Sequence, residues 1–192
     1  MPNLKAVEFG FNKFCGPSVL SILTGRNTDE CALAISRING QYSVTGVLLS
    51  DLIKAANKLG FDTIGMGLND ISLYRALITL AGKGNAQYIV AVTGHFVCVE
   101  VTDGRIFFCD NHTREPIPAA SSARLGMRVE AVTKVVKNPN WIEPVKPKPK
   151  PIWVLITRWA CPVCHAEAMD TKYIMHEPDC KWRGYESNPS DD

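Results

Sequence analysis

The stretch Phe14-Cys15-Gly16-Pro17-Ser18 puts a thiol where a helix begins. Unpaired amides and the macrodipole at a helix start favour negative charge, so a thiolate there is stabilised and its pKa falls. Gly16 is expected to leave space for a substrate backbone beside the sulfur. Those are the needs of a cysteine nucleophile, whereas a free cysteine elsewhere is usually a small buried apolar residue. A nucleophile also needs a base. Of the four histidines, His165 and His176 belong to a cysteine-rich tail, and His95 lies in the strand-like run Val92-Thr93-Gly94-His95-Phe96-Val97.

Hairpin geometry supplies a third group. Asp103-Gly104 between two β-branched and aromatic runs signals a tight turn. With two residues in the turn, Thr102 pairs with Arg105, Val99 with Phe108, Cys98 with Cys109 and Val97 with Asp110. Opposed residues share a face, so His95, Val97, Phe108 and Asp110 lie together, and Asp110 is the diagonal neighbour of His95. A carboxylate there would fix the tautomer and orientation of the ring. Cys98 and Cys109 fall on the opposite face as core. A three-residue loop would shift the register by one and bring Asn111 to the His95 face instead.

The tail carries a different pattern, Cys161-Pro-Val-Cys164, then His176 and Cys180, spaced C-x2-C-x11-H-x3-C. Two thiols two residues apart can bind one metal from a tight turn, and a second pair completes a tetrahedron. Thiolate and imidazole ligands favour Zn²⁺, and a site closed by four protein ligands is structural. His165 is the alternative to His176, although ligating next to Cys164 is sterically awkward. A module of roughly 30 residues has too little core to fold alone, so the metal would supply its folding energy.

The elements that must position these groups follow from punctuation and period. A first helix opens at Gly16-Pro17 and closes at Thr24-Gly25. A second runs over 30–38 behind Thr28-Asp29 and stops at Asn39-Gly40. A third takes Thr45 as cap, carries Leu48, Leu52, Ala55, Ala56 and Leu59 at helical spacing, and ends at Gly60. Asn69-Asp70 can cap a fourth through Leu73, Leu77 and Leu80 to Gly82. Beyond it the period changes: 88–101 and 105–109 read as strands of a hairpin, and 129–136 as a weaker strand. Helices followed by an antiparallel sheet make an α+β class. Alternating Pro and Lys over 143–151 forms an extended strut. It divides a main domain, 1–142, from a metal module, 152–185, and a polar tail, 186–192.

Composition excludes several functions. Hydrophobic residues make up 46% of 192, enough for a core, and the net charge of +2 includes no basic stripe for nucleic acid. The apolar run Ile152-Trp153-Val154-Leu155-Ile156 is far shorter than the roughly 18 residues that span a bilayer. The first 20 residues lack the pattern of a secretory signal. Seven cysteines, an odd and widely spaced set, argue for a reducing compartment, hence a cytoplasmic location, over a disulfide framework. Residues 143–192 hold seven Lys/Arg against eight Asp/Glu, which favours a protein partner for the module over nucleic acid.

Cys15-Gly16-Pro17 opening a helix, Thr45-Gly46 before a helix ending Lys58-Leu59-Gly60-Phe61, Gly94-His95-Phe96-Val97, and Asp103-Gly104 with a strand closing on Asp110 come in that order. Over roughly residues 8–118 the chain thereby resembles the C39-like branch of the papain-like cysteine peptidases. The resemblance implies a papain-like fold, with Cys15 as nucleophile, His95 as base and acid, and Asp110 as orienting acid. It also implies a protein or peptide substrate, cut after small residues such as Gly-Gly. One departure stands out: the glutamine expected six residues before the cysteine is Phe9, so Asn12 and the Cys15 amide become the candidate oxyanion donors. Two other functions use the same residues: a catalytically inactive binding or assembly module, and an amidase or acyltransferase.

Overall fold

The computed structural model describes residues 2–40 and 44–143, and beyond them only the backbone of three short strands at 152–154, 158–160 and 167–168. The chain divides into two compact units, Met1–Glu143 and Pro144–Asp192.

In the first unit, helices α1 (Cys15–Thr24), α2 (Thr28–Asn39) and α3 (Leu49–Lys58) come first. Glycine ends α1 and α2 in the same way. Gly25 and Gly40 are left-handed, with φ of 74° and 73°, and their amides return to Ser21 and Ser36. The starts differ from expectation. Asn27, one residue before Thr28, caps α2 by accepting from the Asp29 amide. Helix α3 begins at Leu49 with no side-chain cap, so Thr45 lies outside it. Leu52, Ala55 and Ala56 form its buried stripe. Every residue of α1 from Gly16 to Leu23 is buried, which makes it the central helix. Its two buried serines are satisfied: Ser18 donates to the Phe14 carbonyl and Ser21 accepts from the Glu8 amide.

The sheet is built from β1 (Phe61–Gly65), β2 (Ile71–Ser72), β3 (Ala86–Val92), β4 (His95–Thr102), β5 (Arg105–Cys109), β6 (Ile117–Pro118) and β7 (Arg128–Lys137). Its order is β1-β7-β3-β4-β5-β6, with β2 also on β7, and every pairing is antiparallel. The strand expected over 129–136 is thus not peripheral; β7 joins β1 and β2 to the rest. The run 88–101 is two strands rather than one. A tight turn at Thr93-Gly94, with Gly94 at φ 69°, folds β4 back on β3 and pairs Val92 with His95. Apolar β-branched residues on both sides hide this turn from a reading by composition. Asp103 and Gly104 have φ of 51° and 73°, as a type I′ turn needs, and Thr102 opposes Arg105.

Helices cover both faces of the sheet. On one, Ile89, Cys98, Cys109 and Val135 join Val19, Leu20, Ile35 and Leu52 of α1–α3. On the other, Val90, Val97, Val99 and Phe108 pack against Leu73, Ala76, Leu77 and Leu80 of α4 (Leu73–Ala81). Sequence patterning places the N-terminal helices on the sheet; α4 departs from this by lying opposite the other three. The continuous burial along β3 and β4 is the signature of a two-sided strand. Ser72 rather than Asn69-Asp70 caps α4, since Asp70 is left-handed and holds Arg128. Among the described residues no helix is long and apolar enough to cross a membrane.

In the second unit, β8 (Ile152–Val154), β9 (Arg158–Ala160) and β10 (Glu167–Ala168) pair antiparallel in the order β10-β9-β8. Cys161, Cys164, His165, His176 and Cys180 lie outside the described residues.

Candidate active site

Cys15 is the first residue of α1, and the cap before it, Phe14, makes no side-chain capping bond. The amides of the first turn are therefore not consumed by a cap. The Gly16 amide is turned to the sulfur, as is the Phe96 amide from β4, and the His95 ring hydrogen-bonds it. The loop that delivers Cys15 is tied to the start of α2. Asp29 accepts from the amides of Phe11 and Asn12 at 2.9 and 2.7 Å, and Thr28 donates to the Asn12 carbonyl at 2.6 Å. A Cβ on Gly10 would come within 2.1 Å of the Asp29 carboxylate, so a side chain there would displace the group that holds this loop.

His95 opens β4 directly after the Gly94 turn, so its ring sits at the end of a strand rather than within it. Its Nε2 is 3.0 Å from Oδ2 of Asp110, leaving Nδ1 to the sulfur. Asp110 follows the last residue of β5 and is fully buried. Its Oδ1 accepts from the His112 and Thr113 amides, both at 2.8 Å, and Oδ2 accepts from Arg124 Nε at 2.7 Å as well as meeting His95. The two-residue turn thus brings Asp110, not Asn111, to the ring. Asn111 instead donates to the Lys13 carbonyl at 3.0 Å, tying the acid-bearing loop to the loop that carries Cys15.

The electrostatics follow from these contacts. Burial alone would raise the Cys15 thiol, but the His95 hydrogen bond, the Phe96 amide, the His95 charge and the Gly16 amide outweigh it and bring the thiol below its ordinary value. Burial would lower His95, but Asp110 and Cys15 outweigh it and raise the ring. Burial likewise opposes ionisation of Asp110, yet His95, the Thr113 and His112 amides and Arg124 hold it well below the carboxylate range. Opposite shifts on Cys15 and His95 favour a thiolate–imidazolium pair. The other described thiols go the other way: burial pushes Cys31 and Cys109 up to about 12 and Cys98 well above its ordinary value.

Several groups take roles that their sequence positions do not suggest. Gly16 does not open space for a substrate; a Cβ there would meet Val47 at 2.8 Å, so this glycine lets α1 pack closely. The Asn12 amide donates to the Val44 carbonyl at 3.0 Å and accepts from the Phe14 amide at 3.1 Å, bracing the turn before Cys15. Phe9 lies under the Arg114 guanidinium, 5.6 Å from the ring centre, with no donor to offer. Arg124, His112 and Thr113 are additions. Asp110-Asn-His-Thr113 is legible as an Asx turn, since an aspartate accepting from amides two and three residues on is a local motif. Arg124 comes from a loop 14 residues away, and nothing in its sequence marks it. The His112 ring also lies 5.6 Å from that of His95.

No family model and no curated protein matches this sequence. Among solved structures, the peptidase domain of Streptococcus ComA, a bifunctional ABC transporter of a quorum-sensing pathway, is similar. Its TM-score is 0.50 at 17% identity, over 71% of this chain and 100% of that one. A double-glycine motif protease from an AMS/PCAT transporter, solved with a leader peptide, has a TM-score of 0.47 at 16% identity, over 71% of this chain and 93% of that one. The likeness to the ComA domain shows a shared fold: α+β, helices and an antiparallel sheet, of the C39 peptidase-domain kind.

Proposed function

We propose that this chain is a cysteine peptidase that hydrolyses a peptide or isopeptide bond through a thioester on Cys15. The observation that carries the reading is one hydrogen-bonded line, from Cys15 to His95 to Asp110, beginning at a helix start. The thiolate attacks the carbonyl carbon, and the imidazolium of His95 gives its proton to the leaving amine as the tetrahedral adduct collapses. His95 then takes a proton from water, which attacks the thioester and frees Cys15. Asp110 stays ionised throughout and holds the ring.

The oxyanion falls mainly to the Cys15 amide, with Asn12 acting as a brace. Loss of one donor costs roughly 100-fold or more in rate, so slow turnover belongs to the proposal. The substrate is a protein or peptide, and the family likeness favours small residues such as Gly-Gly before the cut. A thiol-directed electrophile tests the core of the reading: Cys15 should label faster than Cys31, Cys98 and Cys109, and His95→Ala should slow it. Equal labelling of all four would sink it. Product analysis with added amines separates hydrolysis from amidase or acyltransferase chemistry. Phe9 under Arg114 favours a second reading, a binding or assembly module on the same fold. Undiminished biological function of Cys15→Ala would establish that one.

For the second unit the proposal is a structural Zn²⁺ held by Cys161, Cys164, His176 and Cys180, in a module that recruits a protein partner. The Cys161–Cys164 pair falls in the residues linking β9 to β10. Bound metal would supply folding energy there and take no part in hydrolysis. Metal analysis of the purified chain should find one zinc per chain, lost in Cys164→Ser; a metal-free wild type overturns the assignment.

A further inference from the structure

Asp110 serves more than one cation. Its Oδ2 meets His95 Nε2 at 3.0 Å and Arg124 Nε at 2.7 Å, inside a pocket where the carboxylate has no exposure and the Arg124 side chain is 24% exposed. Arg124 is itself held. Its amide donates to Ser122 Oγ, its carbonyl accepts from the Met127 amide, and its guanidinium rests on Met127 Sδ. The loop is fixed in turn by α4, whose first amides, Leu73 and Tyr74, donate to the carbonyls of Met127 and Leu125. A rigid loop from the far side of the sheet therefore places one permanent positive charge on the oxygen that orients the base. We infer that Arg124 is a positioning residue that sets the basicity of His95 by sharing Asp110 with it.

The physics is a competition. A carboxylate facing only an imidazole would stabilise the imidazolium fully. A guanidinium on the same oxygen takes part of that negative charge and repels the protonated ring, and Arg124 acts on His95 in that downward direction. The other groups facing the ring are the Cys15 sulfur, which raises it, and the His112 ring. The consequence is chemical: a ring bound too firmly to its proton is a poor acid toward a leaving amine. Arg124 keeps His95 transferable while locking the carboxylate in place.

This inference rests on the pairing of Cys15 with His95 proposed above. The test is an NMR titration of the full chain carrying ¹³C-labelled histidine, with His95→Gln to assign the ring. Arg124→Gln should raise the His95 midpoint by about 0.5–1 pH unit, and Arg124→Lys should return at least about half of that shift. An unchanged midpoint in Arg124→Gln, or an Arg124→Lys that matches Arg124→Gln, overturns the inference, because a merely structural arginine would alter stability alone. Should Arg124→Gln fail to fold, the wild type decides: the Arg124 ¹⁵Nε resonance should move with the His95 midpoint, and a stationary resonance overturns the inference. Unselective alkylation of the four described thiols would instead sink the peptidase reading, whatever Arg124 does.

Discussion

The hairpin β4–β5 carries two chemistries a few residues apart. At its open end His95 and Asp110 share a hydrogen bond and reach Cys15; in its interior Cys98 and Cys109 oppose each other directly. Both regions hold thiols beside buried apolar surface, yet the thiols shift in opposite directions. The difference is the donor inventory. Cys15 receives amides from Gly16 and Phe96 and faces a ring that can carry charge. Cys98 and Cys109 are donors to the carbonyls of Val19 and Lys5, which reward the protonated form. Burial raises all three, so activation is a matter of what faces the sulfur.

Substitutions can break this contrast. Cys15→Ala should abolish peptide hydrolysis and the fast labelling phase altogether, leaving only the slow thiols. His95→Ala removes base and counter-charge together, so hydrolysis should fall by roughly 10²–10⁴-fold. The same variant should move the alkylation midpoint of Cys15 upward. The wild-type thiol titrates below its ordinary 9.0, so the thiolate is present at lower pH than in a free cysteine, and the variant loses that window.

Asp110→Asn should have a smaller effect on rate, since the amide oxygen can still accept from the ring Nε2–H, though without the carboxylate's charge to stabilise the imidazolium. Its pH signature is distinct. The native carboxyl lies below its ordinary 3.8, so its contribution to stability is complete above that value and is lost as pH falls through the depressed native value. Urea melts between pH 7 and pH 2 should therefore lose less stability in Asp110→Asn than in wild type. Equal acid loss in the two would mean that this carboxylate is not the acid-sensitive element.

The remaining tests sharpen the contrast from the structural side. Gly16→Ala forces a Cβ against Val47 and should cost about 1–3 kcal/mol by overpacking, with Val47→Ala relieving part of it. Cys98→Ala removes a fully buried sulfur and should cost about 1 kcal/mol while leaving the Cys15 labelling rate unchanged. A change in labelling with Cys98→Ala would show that the interior and the open end are not independent.

Legibility followed locality. The helices ended where glycine could turn left-handed, at Gly25 and Gly40, because that requirement is written in one residue. The β4–β5 register followed from Asp103-Gly104 for the same reason, and with it the meeting of His95 and Asp110. The Thr93-Gly94 turn was concealed because its flanks are as β-prone as a single long strand. Strands β1 and β2 left no period of their own, being short and paired only with the distant β7. The ring of donors around Asp110 divides likewise: the 110–113 turn has a local signature, and Arg124, fixed by tertiary contacts to α4, has none.

The order of strands has a consequence in time. β7 joins β1 and β2 to β3, yet it is the last of these strands in the chain. A ribosome that has just passed the end of β5 at Asp110 has already supplied Cys15, His95 and Asp110, but neither Arg124 nor the strand that completes the sheet. Such long-range pairings form late in folding. The growing polypeptide thus holds Cys15, His95 and Asp110 before the strand that joins the two parts of their sheet, and that sheet is complete only once residue 137 has been made.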